Sequence, residues 1–123
     1  FFVPKRRTKI AILSFGMGDG YVRNLVTKDT QHNADVLIRG KRAKLLDLNV
    51  DQAFADVTDI PDVKPLDPVT LLGTDGKETI TLEQLGDMSG RFNYEFACLI
   101  TNRVPRLYYL DKKLICERPA CIE

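Results

Sequence analysis

The amino-acid pattern predicts a mainly β domain with two short helices. Short apolar runs recur between turn residues along most of the chain. An Asp-Gly pair, Asp75-Gly76, lies between two β-prone stretches and marks a hairpin. Helix signals are confined to two segments, one opening at Thr81 and one at Asn93.

The first strand is expected from Lys9 to Phe15, on the apolar run Lys9-Ile10-Ala11-Ile12-Leu13-Ser14, and reads as buried. Gly16, Gly18 and Gly20, the last closing an Asp-Gly pair, then impose a sharp turn that presents its side chains at a rim. Tyr21 to Asn33 is polar and irregular; Lys28 to Asn33 reads as an exposed loop with His32 as an ordinary loop residue. Val36-Leu37-Ile38 and Ala43-Lys44-Leu45-Leu46 flank Arg39-Gly40-Lys41 and predict a hairpin, with a further strand over Ala53 to Val57 that ends before Ile60-Pro61.

Across Gly73-Thr74-Asp75-Gly76, Val69 to Leu72 is expected to pair with Glu78 to Ile80. Thr81 stands three residues before Gln84, the capping-box spacing, so a helix should run from Leu82 to about Met88 and stop at Gly90. Phe96, Leu99 and Ile100 follow helical spacing in a second helix from Asn93 to about Thr101, which Val104-Pro105 terminates. A last hairpin joins Leu107-Tyr108-Tyr109-Leu110 to Leu114-Ile115-Cys116 through Asp111-Lys112-Lys113.

The composition fits one globular domain: 123 residues, 44% hydrophobic and 28% charged, are enough to bury a core without staples. A net charge of +1 selects no polyanion, and Lys5-Arg6-Arg7 with Lys9 reads as a solvated edge, so no nucleic-acid partner is expected. No stretch approaches the ~20 apolar residues of a membrane-spanning helix. The opening Phe1-Phe2-Val3-Pro4 carries no initiator Met and reads as part of a longer protein.

Three cysteines and a single histidine lack metal-site spacing, so no metal is expected. Cys98 reads as a buried thiol amid Phe96-Ala97 and Leu99-Ile100, while Cys116 and Cys121 sit in a polar tail that could bridge if oxidised. Free thiols point to a reducing compartment and a cytoplasmic location.

Five motifs follow one another in a distinctive order. They are Phe15-Gly16-Met17-Gly18-Asp19-Gly20-Tyr21-Val22-Arg23, Val50-Asp51-Gln52, Asp56-Val57-Thr58-Asp59-Ile60-Pro61, Asn93-Tyr94-Glu95, and Arg103-Val104-Pro105-Arg106-Leu107-Tyr108-Tyr109. From about Thr8 to Tyr109 the chain resembles the C-terminal domain of alanine racemase, a pyridoxal-phosphate (PLP) enzyme. That resemblance implies a barrel-like β domain. It also implies an N-terminal (β/α) barrel elsewhere in the same protein, a homodimer in which this domain completes the partner subunit's active site, and a small amino acid as substrate. PLP would bind the full-length protein and not this chain alone, which lacks the cofactor lysine and should be inactive by itself. Some relatives carry a membrane domain, so such a fusion stays open.

Inverting an α-carbon requires a proton to leave one face and another to arrive at the opposite face, hence two acid/base groups. The family's turn reads Gly-Tyr-Ala-Asp-Gly-Tyr, and its first tyrosine is one of them; here Met17 stands in its place, and a thioether has no proton to give. Tyr21 on the same turn keeps a phenol that a local shift could bring into play, although packing is its more ordinary role. Val50 matches a position whose backbone N–H binds the substrate carboxylate, and Tyr94 matches a tyrosine that touches the cofactor phosphate; a ring that merely packs at a helix start is the alternative for Tyr94. Asp51 reads as a polar organiser of its loop, Asp19 and Arg23 as an ion pair fixing the turn, and Arg103 and Arg106 as ligands of carboxylates or carbonyls within the protein. Two functions follow: the C-terminal domain of an active PLP-dependent racemase, or a catalytically degenerate relative kept for dimerisation or ligand binding. A free-standing β-barrel recognition module is a third.

Overall fold

A computed structural model describes residues 2–27 and 30–119. Its centre is a curled, half-barrel antiparallel sheet of strands β1 (Ile10–Leu13), β2 (Asp35–Ile38), β3 (Lys41–Leu48), β4 (Ala53–Asp56) and β5 (Val69–Thr70), in the order β1-β4-β3-β2-β5. A second ribbon pairs β6 (Gly73–Asp75) with β7 (Glu78–Ile80). A third pairs β8 (Arg106–Leu110) with β9 (Lys113–Arg118). Helices α1 (Leu82–Ser89) and α2 (Asn93–Leu99) lie between these two ribbons in the chain.

The mainly β architecture and its two helices are those the sequence predicts. In the β2–β3 turn, Arg39 (φ 53°) and Gly40 (φ 71°) are both left-handed, which suits the twist of a two-residue hairpin. Gly40 N–H donates to Asp75 Oδ2 at 2.7 Å, tying this turn to the β6–β7 ribbon. Leu46 is the extra residue of a bulge in β3, and the bulge lets the consecutive Leu45 and Leu46 both be buried. At α1, Thr81 Oγ1 accepts from Gln84 N–H while Gln84 Oε1 accepts from Thr81 N–H, the reciprocal cap expected; Gly90 (φ 68°) closes the helix.

The core gathers Leu13, Leu25, Val36, Leu37, Ile38, Leu45, Leu48 and Val57, with Ile80, Leu85 and Phe96 from the ribbon and helices. Asn33 is fully buried within it. Its Oδ1 accepts from Thr27 N–H and its Nδ2 donates to Leu45 O, both at 2.7 Å. The segment before β2 is therefore not all exposed loop: Tyr21, Val22, Leu25, Val26 and Asn33 are inside, whereas His32 is exposed as expected.

Four expectations are corrected. β1 is an edge strand, not a buried one: Ala11 and Leu13 face in, while Ile10 and Ile12 are exposed. Val69-Thr70 joins β2 in the main sheet, and the strand that pairs with β7 is Gly73–Asp75, because the turn sits at Gly76-Lys77 rather than at Gly73–Gly76. α2 ends at Leu99, two residues short. Cys98 is exposed, since only Phe96 of α2 reaches the core. Cys116 is also an exposed free thiol, and Cys121 lies outside the described residues. No helix among the described residues is long and apolar enough to cross a membrane.

Candidate functional site

The glycine turn leaves β1 and runs straight into two other segments. Met17 N–H donates to Asn49 O (3.0 Å) and Gly18 N–H to Val50 O (2.7 Å), so the turn is bonded through its main chain to the loop between β3 and β4. Asn49 N–H in turn donates to Gln52 O (2.7 Å), closing that loop. From the other side, Thr101 Oγ1 donates to Gly18 O (2.8 Å) and Thr101 N–H to Asp19 O (3.3 Å).

Glycines are required here for reasons of space. A Cβ on Gly16 would lie 2.5 Å from Asn49 O and closer still to the carbonyl of Val50. One on Gly20, itself at φ 104°, would lie 2.6 Å from the carbonyl carbon of Leu99. Three segments far apart in sequence thus meet at main-chain contact, and their meeting point positions both Met17 and Val50.

Met17 is held through its N–H and its carbonyl, which accepts from Gly20 N–H, and the residue is 40% exposed. Val50 is 59% exposed; its carbonyl is engaged by Gly18, and its N–H has no acceptor among the described residues. Tyr94 lies on the first turn of α2, 65% exposed, its ring edge-on to Phe92 at 5.2 Å and its hydroxyl without a partner among the described residues. The other end of α2, at Leu99, abuts Gly20; five steps of the helical rise put Tyr94 about 7.5 Å away along the axis. The structure therefore joins the Met17-Gly18 turn directly to the 49–50 loop and leaves Tyr94 on a neighbouring element.

The ion pairs differ from those expected. Asp19 accepts from Gly16 N–H (2.8 Å) and pairs with Arg103 Nε (3.3 Å); Arg23 pairs instead with Asp47 (3.2 Å). Sequence proximity favoured Arg23, but Asp19 points back across the turn, where the 101–106 segment crosses. Arg103 thus binds a carboxylate, and Arg106 binds the carbonyls of Ile100, Thr101 and Val104, as anticipated for both. Asp51 is exposed and makes no hydrogen bond to the described residues, so main-chain bonds rather than its carboxylate organise the loop.

Tyr21 is packed inward. Its ring meets Phe15 edge-on at 5.1 Å, and its buried hydroxyl has no hydrogen-bond partner among the described residues. Burial pushes this phenol well above its ordinary pKa, and the charge of Asp35 adds to the shift. Beside it, Phe15, Leu72, Phe96, Ile100 and Arg103 help line an apolar groove of about 410 Å³. Thr101 is the residue the sequence reasoning missed: its hydroxyl and N–H both clasp the turn, and only its place just before Arg103 hinted at it. No cluster of three or more metal-ligating side chains occurs among the described residues.

Residues 1–108 match the family described as alanine racemase, C-terminal domain. Alanine racemase of Methanococcus maripaludis is 41% identical over 108 residues, covering 87% of this chain and 27% of that protein. Alanine racemase of Bacillus anthracis, solved with bound L-Ala-P, superposes with a TM-score of 0.76 at 31% identity, over 89% of this chain and 27% of that one. The enzyme of Bartonella henselae, solved with covalently bound pyridoxal phosphate, shares the fold at a TM-score of 0.66 and 24% identity, over 80% of this chain and 26% of its own. The chain thus spans about a quarter of the length of the relatives it matches.

Proposed function

This chain belongs to the alanine racemase C-terminal domain family, and from that premise we propose that it is the domain of a PLP-dependent amino-acid racemase-like enzyme that completes the active site of a partner subunit. One observation supports the reading: the main-chain bonds from Met17 and Gly18 to Asn49 and Val50, which bring the glycine turn and the 49–50 loop side by side on one exposed rim. PLP, when bound in the full-length protein, supplies an electron sink that acidifies the substrate's α-proton.

In this reading Val50 offers its unengaged N–H to the substrate carboxylate, a role that a main-chain donor performs whatever side chain it carries. Tyr94 offers its unpartnered hydroxyl to the cofactor phosphate, and its exposure suits a group that is covered only by another part of the assembly. Those two groups fit the cofactor and a small amino acid; the remaining contacts come from outside this chain. The glycine turn packs Met17 at the rim, where it shapes the pocket without moving a proton.

A second reading is favoured by Met17 itself: a domain retained for dimerisation or ligand binding after chemistry was lost. The test is PLP titration of the full-length protein carrying this domain, followed by absorbance. A hydroxyl bonded to phosphate contributes enough that Tyr94→Phe should weaken PLP at least about tenfold. Unchanged affinity in Tyr94→Phe would remove that residue from the cofactor site, and absence of PLP binding in the parent protein would overturn the enzyme reading.

A further inference from the structure

We propose that the enzyme carrying this domain moves the substrate's α-proton on one face only, exchanging it in a single enantiomer and returning it with configuration retained. This rests on the reading above, in which the Met17 turn borders the bound substrate.

The argument comes from accounting for the ionisable groups around the turn. Asp19 is engaged twice, by Gly16 N–H at 2.8 Å and by Arg103 at 3.3 Å. Arg103 is its partner, and Arg23 is held by Asp47 and by Val26 O. Tyr21 is the phenol nearest in sequence, yet its hydroxyl is buried and its ring is locked against Phe15. Carrying that hydroxyl to the place of Met17 would require the turn to move. The turn cannot slide cheaply: Met17 N–H, Gly18 N–H and Gly18 O, Asp19 O and the Asp19 carboxylate are all bonded to the 49–50 and 101–103 segments, and Gly16 and Gly20 fill their gaps to main-chain contact.

Asp51 is the remaining candidate. It is an exposed carboxylate one residue beyond Val50 with no hydrogen bond to the described residues, it belongs to the neighbouring loop and not to the turn, and an Asp51→Asn variant tests it. The described turn thus presents a thioether and no proton donor or acceptor.

The proton balance follows. The Cα–H proton would pass to a base on the opposite face, supplied from outside this chain, with PLP, when bound, as the sink for the electron pair left on Cα. That base exchanges with solvent and gives back a deuteron to the same face, forming Cα–D with the original configuration. Nothing at Met17 delivers a proton to the other face.

The test is NMR of L- and D-alanine, and of both serines, with the full-length protein and PLP in deuterated water, with the absorbance of bound PLP as an independent report of substrate binding. Both enantiomers should perturb the absorbance, and one should lose its α-proton signal at least about a hundredfold faster than the other, with no inversion. Met17→Tyr should then raise inversion by a factor of at least about a hundred. Inversion in the unaltered protein would overturn the proposal while leaving the cofactor reading intact, and Asp51→Asn or Tyr21→Phe would identify the base responsible. Bound PLP with no exchange of any substrate would also overturn it, in favour of the ligand-binding role. A protein that binds no PLP would bring down this proposal together with the reading beneath it.

Discussion

Replacing Gly16 by alanine tests whether contact between main chains builds the rim. At Gly16 φ is −165°, an extended conformation open to any residue, so alanine pays no backbone penalty there. By reducing the freedom of the unfolded chain it should even stabilise by about 0.4–1 kcal/mol. Against that stands the added methyl, 2.5 Å from Asn49 O and nearer to the Val50 carbonyl, all main-chain atoms that cannot rotate aside. Reaching ordinary contact at about 3.5 Å requires a shift of roughly 1 Å. That shift stretches the bonds Met17 N–H to Asn49 O (3.0 Å) and Gly18 N–H to Val50 O (2.7 Å) beyond useful length.

Two hydrogen bonds at about 1 kcal/mol each, plus about 1–3 kcal/mol for overpacking, exceed the entropic gain. The net loss should be about 2–4 kcal/mol, or roughly 8–16 °C in Tm for a domain of this size. Gly90→Ala is the control: unlike Gly16 it has a left-handed conformation to strain, φ 68°, but no atom within 4 Å of the new methyl, so about 1 kcal/mol should be lost. Urea and thermal unfolding of both variants, followed by circular dichroism, decide the matter. A Gly16→Ala midpoint equal to that of Gly90→Ala would refute the claim that the turn and the 49–50 loop are in forced contact.

Asn33→Ala should cost about 2–4 kcal/mol in the same assay, because it leaves Thr27 N–H and the carbonyl of Leu45 without their partner in the core. Thr81→Ala should cost about 1 kcal/mol through loss of the α1 cap, and Thr81→Ser much less. Tyr21→Phe should be neutral or stabilising at pH 7, since it deletes a buried hydroxyl with no partner among the described residues. The same variant should change the alkaline limb: the folded-state pKa lies above the unfolded one, so stability is intact below about pH 10 and falls above it, by up to about 1.4 kcal/mol per pH unit, as the unfolded phenol ionises. Parent and Tyr21→Phe curves that stay parallel above pH 10 would mean that the hydroxyl is solvated.

What could be read from the sequence divides along physical lines. Turns fixed by local chemistry were legible: Arg39-Gly40, the Thr81 to Gln84 cap, and the Gly90 stop each depend on residues within one turn of each other. Errors fell where a distant partner decides. Val69-Thr70 reads as a partner of β7, whereas the closing of the half-barrel sets it beside β2. Cys98 sits in an apolar run, yet α2 is short and buries only Phe96, leaving the rest of that run outside. Asp19 chose Arg103, 84 positions away, over Arg23, because the crossing segment is brought there by Thr101 rather than by charge.

The site shows the same division, and it bears on what a side chain at position 17 can change. Position 17 is held by its own N–H, donated to Asn49 O, and by its carbonyl, while the neighbouring Gly18 donates to Val50 O and accepts from Thr101 Oγ1; none of these bonds involves the side chain of residue 17. Because the rim is built from main chain, a substitution at position 17 changes the side chain presented there while leaving where the rim stands unchanged. The opposite holds at Tyr21, whose ring is part of the packing, so its hydroxyl could be brought to the rim only at the expense of the fold. On the proposed role of the turn, Met17→Tyr is therefore expected to act on proton transfer and to leave the unfolding free energy within about 0.5 kcal/mol of the parent.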